Sequence, residues 1–138
     1  MKKIFSILAF VLAFTVGASA QTAVPLSPVL DSIVTSSSLD TSYSFKKVEG
    51  WWDAVSIQVV IPKVSGTVTG YALLQGSLDG VNYANITTDT LTLANVATNS
   101  KVWAFSSVPY AYYRVAVYAP SSTYKAYVRG YILLRRKQ

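Results

Sequence analysis

A chain of 138 residues that sets 12 Lys and Arg against 6 Asp and Glu has a formal net charge of +6, and it contains neither His nor Cys. Those two absences exclude imidazole and thiolate catalysis, a serine triad with its histidine base, disulfide stapling, and zinc sites built on nitrogen or sulfur. The charge is mildly basic rather than extreme, which disfavours a nucleic-acid partner, and the length suits one packed domain.

Residues 1–20 have the layout of a secretory signal peptide. Lys2 and Lys3 open the chain, an apolar run follows from Ile4 to Val16, and Ala18-x-Ala20 supplies a small-residue cleavage site. The run is about thirteen residues, short of the roughly twenty a spanning helix needs. The expectation is export, cleavage after Ala20, and no stable membrane span in the mature chain. Residues 21–40 carry Pro25 and Pro28, which cannot donate to a ladder, so this stretch reads as an extended arm or an edge strand. It could pair within the chain or with a neighbour.

From residue 41 to 138 the chain reads as one all-β domain. Helical periodicity is absent; Val, Thr, Tyr, Ile and Ser dominate short runs separated by turn residues. Asp40–Val48 alternates weakly, with Tyr43 and Phe45 on one side, and Glu49-Gly50 turns the chain. In Trp51–Ile61, Val55, Ile57, Val59 and Ile61 share one face, and Pro62 is expected to end the strand. Thr67–Ser77 leads into Leu78-Asp79-Gly80, and Val81–Thr87 returns as a hairpin, because Asp-Gly suits a tight turn. A short strand at Thr90–Leu93, a polar loop at Asn95–Ser100 and a strand at Lys101–Phe105 follow. Tyr112–Tyr118 and Tyr124–Leu134 are expected to pair as a terminal hairpin. About seven to nine strands predict an antiparallel β-sandwich of jelly-roll or galactose-binding-like type.

Little catalytic chemistry is available. Gly66, Gly70, Gly76 and Gly80 are spaced as turn and strand glycines, not as a phosphate loop. Glu49 and Asp53, flanking Trp51-Trp52, are the best carboxylate pair for glycoside hydrolysis; the simpler reading is a turn acid and a strand-start acid beside a core tryptophan pair. Asp79, Asn82 and Asn85 could offer oxygens to calcium, but one carboxylate makes a poor site and turn formation accounts for Asp79. Asn85-Ile86-Thr87 matches the glycosylation acceptor pattern. No enzyme activity, cofactor or metal is expected. Arg135, Arg136 and Lys137 read as a solvated basic tail.

Strand parity picks out a candidate binding face. In the terminal hairpin Tyr113, Val115 and Val117 point one way and Tyr112, Arg114, Ala116 and Tyr118 the other. In the last strand Ala126, Val128, Gly130, Ile132 and Leu134 form the core set, leaving Tyr127, Arg129 and Tyr131 outside. Pairing the two strands puts Tyr112, Arg114, Tyr118, Tyr127, Arg129 and Tyr131 on one basic, tyrosine-rich strip. One register sets Arg114 against Arg129; the other sets Arg114 against Tyr127 and Tyr112 against Arg129, with two cation–π contacts.

The run Ser77-Leu78-Asp79-Gly80-Val81-Asn82-Tyr83 resembles the S-x-D-G-x-N-[WY] hairpin of galactose-binding-like β-sandwiches of the discoidin type. Tyr112–Val117 and Val128–Tyr131 resemble the closing strands of that group. Gly66 to Leu134 as a whole resembles small β-sandwich proteins of tailed bacteriophages and their hosts, many of them virion surface components. Discoidin domains are longer and cysteine-clamped, so their ligand loops do not carry over. The missing chemistry, the all-β build and the proline-bearing N-terminal arm, which could add a strand to a neighbour's exposed edge, imply a structural or adhesive subunit of an extracellular assembly, on a virion or cell surface, with protein partners or self-association. The alternative is a secreted carbohydrate-binding module, since 10 Tyr and 3 Trp offer faces on which sugars stack.

Overall fold

The computed structural model describes residues 23–26, 32–35, 41–118 and 125–136, with the backbone alone for 32–35 and 41–45. The expected signal segment 1–20 lies outside the described residues. Among the described residues ten strands run in order: β1 (Val24–Pro25), β2 (Ser32–Thr35), β3 (Thr41–Lys47), β4 (Ala54–Ser65), β5 (Tyr71–Ser77), β6 (Ala84–Asn85), β7 (Leu91–Thr92), β8 (Thr98–Phe105), β9 (Tyr112–Tyr118) and β10 (Lys125–Arg135). They form two antiparallel sheets, a β-sandwich. The first has the order β1-β10-β4-β8, with β2 also on β10. The second has the order β3-β9-β5-β6, with β7 also on β5.

The alternation of β4 sets the core. Val55, Ile57, Val59 and Ile61 are fully buried, while Ala54, Ser56, Gln58 and Val60 are not. Ile57 lies between Trp103 of β8 and Ile132 of β10. Facing this layer are Tyr113, Val115 and Val117 of β9 with Ala72 and Leu74 of β5, all in the same apolar cluster. Burying each such side chain contributes roughly 1.5–3 kcal/mol. Gly76 of β5 is required by packing: a Cβ there would stand 2.5 Å from the Tyr110 ring.

Three expectations are corrected. Pro62 does not end its strand; β4 continues to Ser65, with Pro62 opposite Thr98. The proline is accommodated where the ladder to β10 is interrupted, between Val60↔Arg129 and Lys63↔Ala126, so its missing N–H costs no bond there. The Asn95–Ser100 loop is shorter than expected, because β8 already starts at Thr98 and buried Asn99 grips the Ala94 backbone through its side-chain amide. The third correction is the largest. β9 and β10 do not pair; β9 lies between β3 and β5, and β10 lies between β4 and the N-terminal strands. Parity is the same for two strands side by side and for two facing each other across a core, so alternation could not separate these arrangements.

The N-terminal stretch pairs within the chain. Val24↔Ile132 and Ser32↔Val128 join β1 and β2 to β10, Leu26 donates its N–H to the Gly130 carbonyl at 2.8 Å, and the Leu26 side chain is buried in the core.

Candidate functional site

The Asp-Gly turn is built by its own side chains. Asp79 Oδ1 accepts from the Ser77 hydroxyl at 2.7 Å and from the Val81 and Asn82 N–H groups at 2.8 Å each; Oδ2 accepts from the Asn82 amide at 2.7 Å. Ser77 Oγ in turn accepts from the Gly80 N–H at 2.9 Å. These bonds, the Ser77 hydroxyl foremost, hold the Asp79 carboxyl far below the usual carboxylate range. Gly80 has φ +77°, a left-handed conformation natural to glycine. The carboxylate is thus committed to the turn. Among the described residues there is no group of three or more acids that could hold a metal ion.

The turn delivers Tyr83 to the outer face of the second sheet, where the Arg114 guanidinium lies 3.8 Å from its ring centroid. Burial pushes the Tyr83 phenol above its ordinary value, with the Arg114 cation acting against that shift. β9 and β5 are in register at Arg114↔Gln75, and β5 and β6 at Gln75↔Asn85. Arg114 Nε donates to Gln75 Oε1 at 2.7 Å, and Gln75 Nε2 donates to Asn85 Oδ1 at 3.0 Å. A polar chain therefore crosses three strands. On β5 and β9, four residues further along the strand, Tyr71 and Tyr118 pair in register and stack at 4.8 Å between centroids. At about 3.3 Å per residue the stack stands roughly 13 Å from the polar chain. Tyr112 flanks the other end, opposite Ser77.

Of the six residues expected on one strip, only Tyr112, Arg114 and Tyr118 share this face. Tyr127, Arg129 and Tyr131 belong to β10 and project from the other sheet, on the opposite side of the sandwich. Neither expected register occurs. Arg114 stacks on Tyr83, and Arg129 lies 5.7 Å from the Tyr127 ring on its own strand. Gln75, Tyr71 and Tyr83 fall outside the six residues expected on the face, and Asn85 is singled out by sequence only as a calcium oxygen or a glycosylation acceptor. Tyr83 did stand at the last position of the hairpin motif; the others needed the β5–β9 register.

The tryptophan pair is not in the core. Trp51 is 91% exposed, and the core tryptophan is Trp103, whose indole N–H donates to the Asp89 carbonyl at 2.7 Å. Trp52 donates to the Glu49 carbonyl and lies under the Arg136 guanidinium at 4.7 Å. Glu49 pairs with Lys47 at 3.1 Å, and Glu49 and Asp53 line separate clefts. Arg136 is no loose tail either, since Nε donates to the Trp51 carbonyl at 2.9 Å. No helix among the described residues is long and apolar enough to cross a membrane.

The class these features define is an all-β sandwich whose second sheet carries a polar, tyrosine-flanked outer face. No protein-family model matches the chain, and no curated protein matches it. Membership of a discoidin-type or virion family therefore gains no support. Among solved structures the chain is similar to one titled "Family 16 Carbohydrate Binding Module-2", at a TM-score of 0.45 and 10% identity, covering 81% of this chain and 84% of that one. A likeness at that level carries no weight for function.

Proposed function

We propose that this protein is a secreted, non-catalytic carbohydrate-binding module whose ligand lies across the outer face of β9, β5 and β6. The observation that carries this reading is the hydrogen-bonded chain Arg114–Gln75–Asn85, bounded by the Tyr83 ring and the Tyr71–Tyr118 stack. Sugars present hydroxyls that both donate and accept, and C–H faces that lie flat on aromatic rings. Amide and guanidinium groups fixed by one another offer the first kind of contact, and tyrosine rings offer the second. Because these side chains already hold each other, little rotamer entropy is lost on binding. Export rests on the signal layout of residues 1–20.

The reading as a self-assembling subunit drew on an N-terminal arm free to add a strand to a neighbour. That support is withdrawn by the pairing of β1 and β2 with β10. Electrophoresis through gels cast with neutral polysaccharides tests the proposal. Wild type should be retarded on at least one polysaccharide, and Tyr83→Ala with Tyr71→Ala should migrate freely while keeping its far-UV spectrum. Equal retardation of the folded double variant would place the ligand elsewhere. A self-associating protein with no retardation would return the subunit reading.

A further inference from the structure

At one end of the sandwich, away from the face described above, β4 begins and β10 finishes. There Asp53, Ala54, Ala104, Phe105, Ser106, Arg135 and Arg136 line a cleft of about 430 Å³. That volume falls in the roughly 300–1,000 Å³ range of small-molecule sites. Two cations face one carboxylate in it. Trp51 stands two residues before Asp53, and its side chain is 91% exposed. So large an apolar ring turned wholly to water gains nothing for the fold, since burial is what makes an aromatic side chain stabilising.

The backbone that carries it is nonetheless tied down. Arg136 donates to the Trp51 carbonyl at 2.9 Å while its guanidinium lies on the Trp52 ring. Trp52 in turn donates to the Glu49 carbonyl at 2.7 Å, and the Asp53 N–H donates to the Arg135 carbonyl at 2.9 Å. Gly50, with φ +88°, lets the chain turn beside them, and a Cβ there would stand 3.8 Å from Arg136. The arginine that lines the cleft thus anchors the backbone of the residue whose ring is exposed beside it.

The geometry points to this cleft as a second glycan site, one that takes a carboxylated, uronate-type sugar residue. The Trp51 ring would be the plate on which the sugar stacks, Arg135 and Arg136 would be the carboxylate partners, and Asp53 and Ser106 would meet hydroxyls. Guanidinium suits a carboxylate because its planar fork matches the two oxygens. A mixed lining of two Arg, one Asp and one Ser in a concave cleft favours a ligand that carries hydroxyls beside a single anionic group over a phosphate-dense surface, whose many charges two arginines set against one carboxylate would not balance. The site stands apart from the β9–β5–β6 face, so either can fail without the other.

The test is calorimetric titration with oligogalacturonate and oligomannuronate, their methyl esters, and vesicles containing phosphatidylserine. Binding of at least one acid oligomer is expected. It should weaken about tenfold or more in Trp51→Ala and in Arg135→Gln, weaken similarly on esterification of the ligand, and fall with added salt. Tyr83→Ala should leave it unchanged. No binding of either acid oligomer, equal binding of the esters, retention in folded Trp51→Ala, or binding of the vesicles alone would each overturn the assignment. The part of the intrinsic fluorescence change that is absent from Trp51→Phe gives a second readout independent of heat, and that variant is expected to retain part of the affinity.

Discussion

Replacing Gly76 by Ala should destabilise the protein through one identifiable clash. The added Cβ would meet Tyr110 Cγ at 2.5 Å, Tyr110 Cδ2 at 2.6 Å and Ile86 Cδ1 at 2.9 Å. An ordinary carbon contact is about 3.5–4 Å, so the Tyr110 ring would have to withdraw by roughly 1 Å. That ring packs edge-on to Tyr113 at 6.0 Å, and Tyr113 is fully buried, so there is little room for the movement. Overpacking of this kind costs about 1–3 kcal/mol. Against it, Gly→Ala restricts the unfolded chain and returns about 0.4–1 kcal/mol where the backbone tolerates it, and Gly76 is not among the positive-φ glycines. The net loss should be roughly 1–2 kcal/mol. With a urea slope of about 2 kcal/mol/M, the unfolding midpoint should fall by about 0.5–1 M. In a Tyr110→Ala background most of that cost should disappear, leaving the flexible end of Ile86 as the group that must shift. An unchanged or raised midpoint in the wild-type background would refute the packing of Tyr110 on β5.

Other outcomes follow from the same structure. Leu26→Ala should cost about 2–5 kcal/mol in urea unfolding, because the N-terminal stretch contributes to the core; a neutral result would make it a detachable arm. Asn99→Ala should cost about 1–3 kcal/mol, since it leaves the Ala94 N–H without its partner and the Ala94 carbonyl with the Val96 N–H alone, and amide exchange at Ala94 should accelerate. Asp79 binds a proton less readily folded than unfolded, so its contribution is complete above the ordinary carboxylate pKa near 4 and is lost as pH falls toward its depressed folded value. Asp79→Asn should therefore flatten the acid limb of stability against pH; an unchanged limb would mean the turn carboxylate is not linked to folding.

Where the sequence was legible, local chemistry decided the outcome. The alternation of Val55, Ile57, Val59 and Ile61 announced a half-buried strand, and Asp79-Gly80 announced the hairpin that β5 and β6 form. The partner of β9 was not legible, because Val115 and Val117 need only an apolar layer and the layer can lie beside them or across from them. That ambiguity misplaced half of the candidate face. Tyr112, Arg114 and Tyr118 were on the right strand, but Gln75, the residue Arg114 bonds, is 39 positions away, and nothing local to either residue specifies that contact. Pro62 and Trp51 misled for a related reason. A proline breaks a ladder only where a bond is required of it, and a tryptophan is buried only where a layer exists to receive it.

The face carrying Gln75 and Asn85 has direct reporters in their side-chain amides. An NMR titration with a neutral oligosaccharide chosen from the retarding polysaccharide should move those two amide pairs and the Arg114 Nε–H first, and the Tyr71 and Tyr118 ring protons with them. Saturable shifts confined to Tyr127, Arg129 and Tyr131 on β10, with the Gln75 and Asn85 amides unmoved, would place the ligand on the other sheet and refute the proposed face.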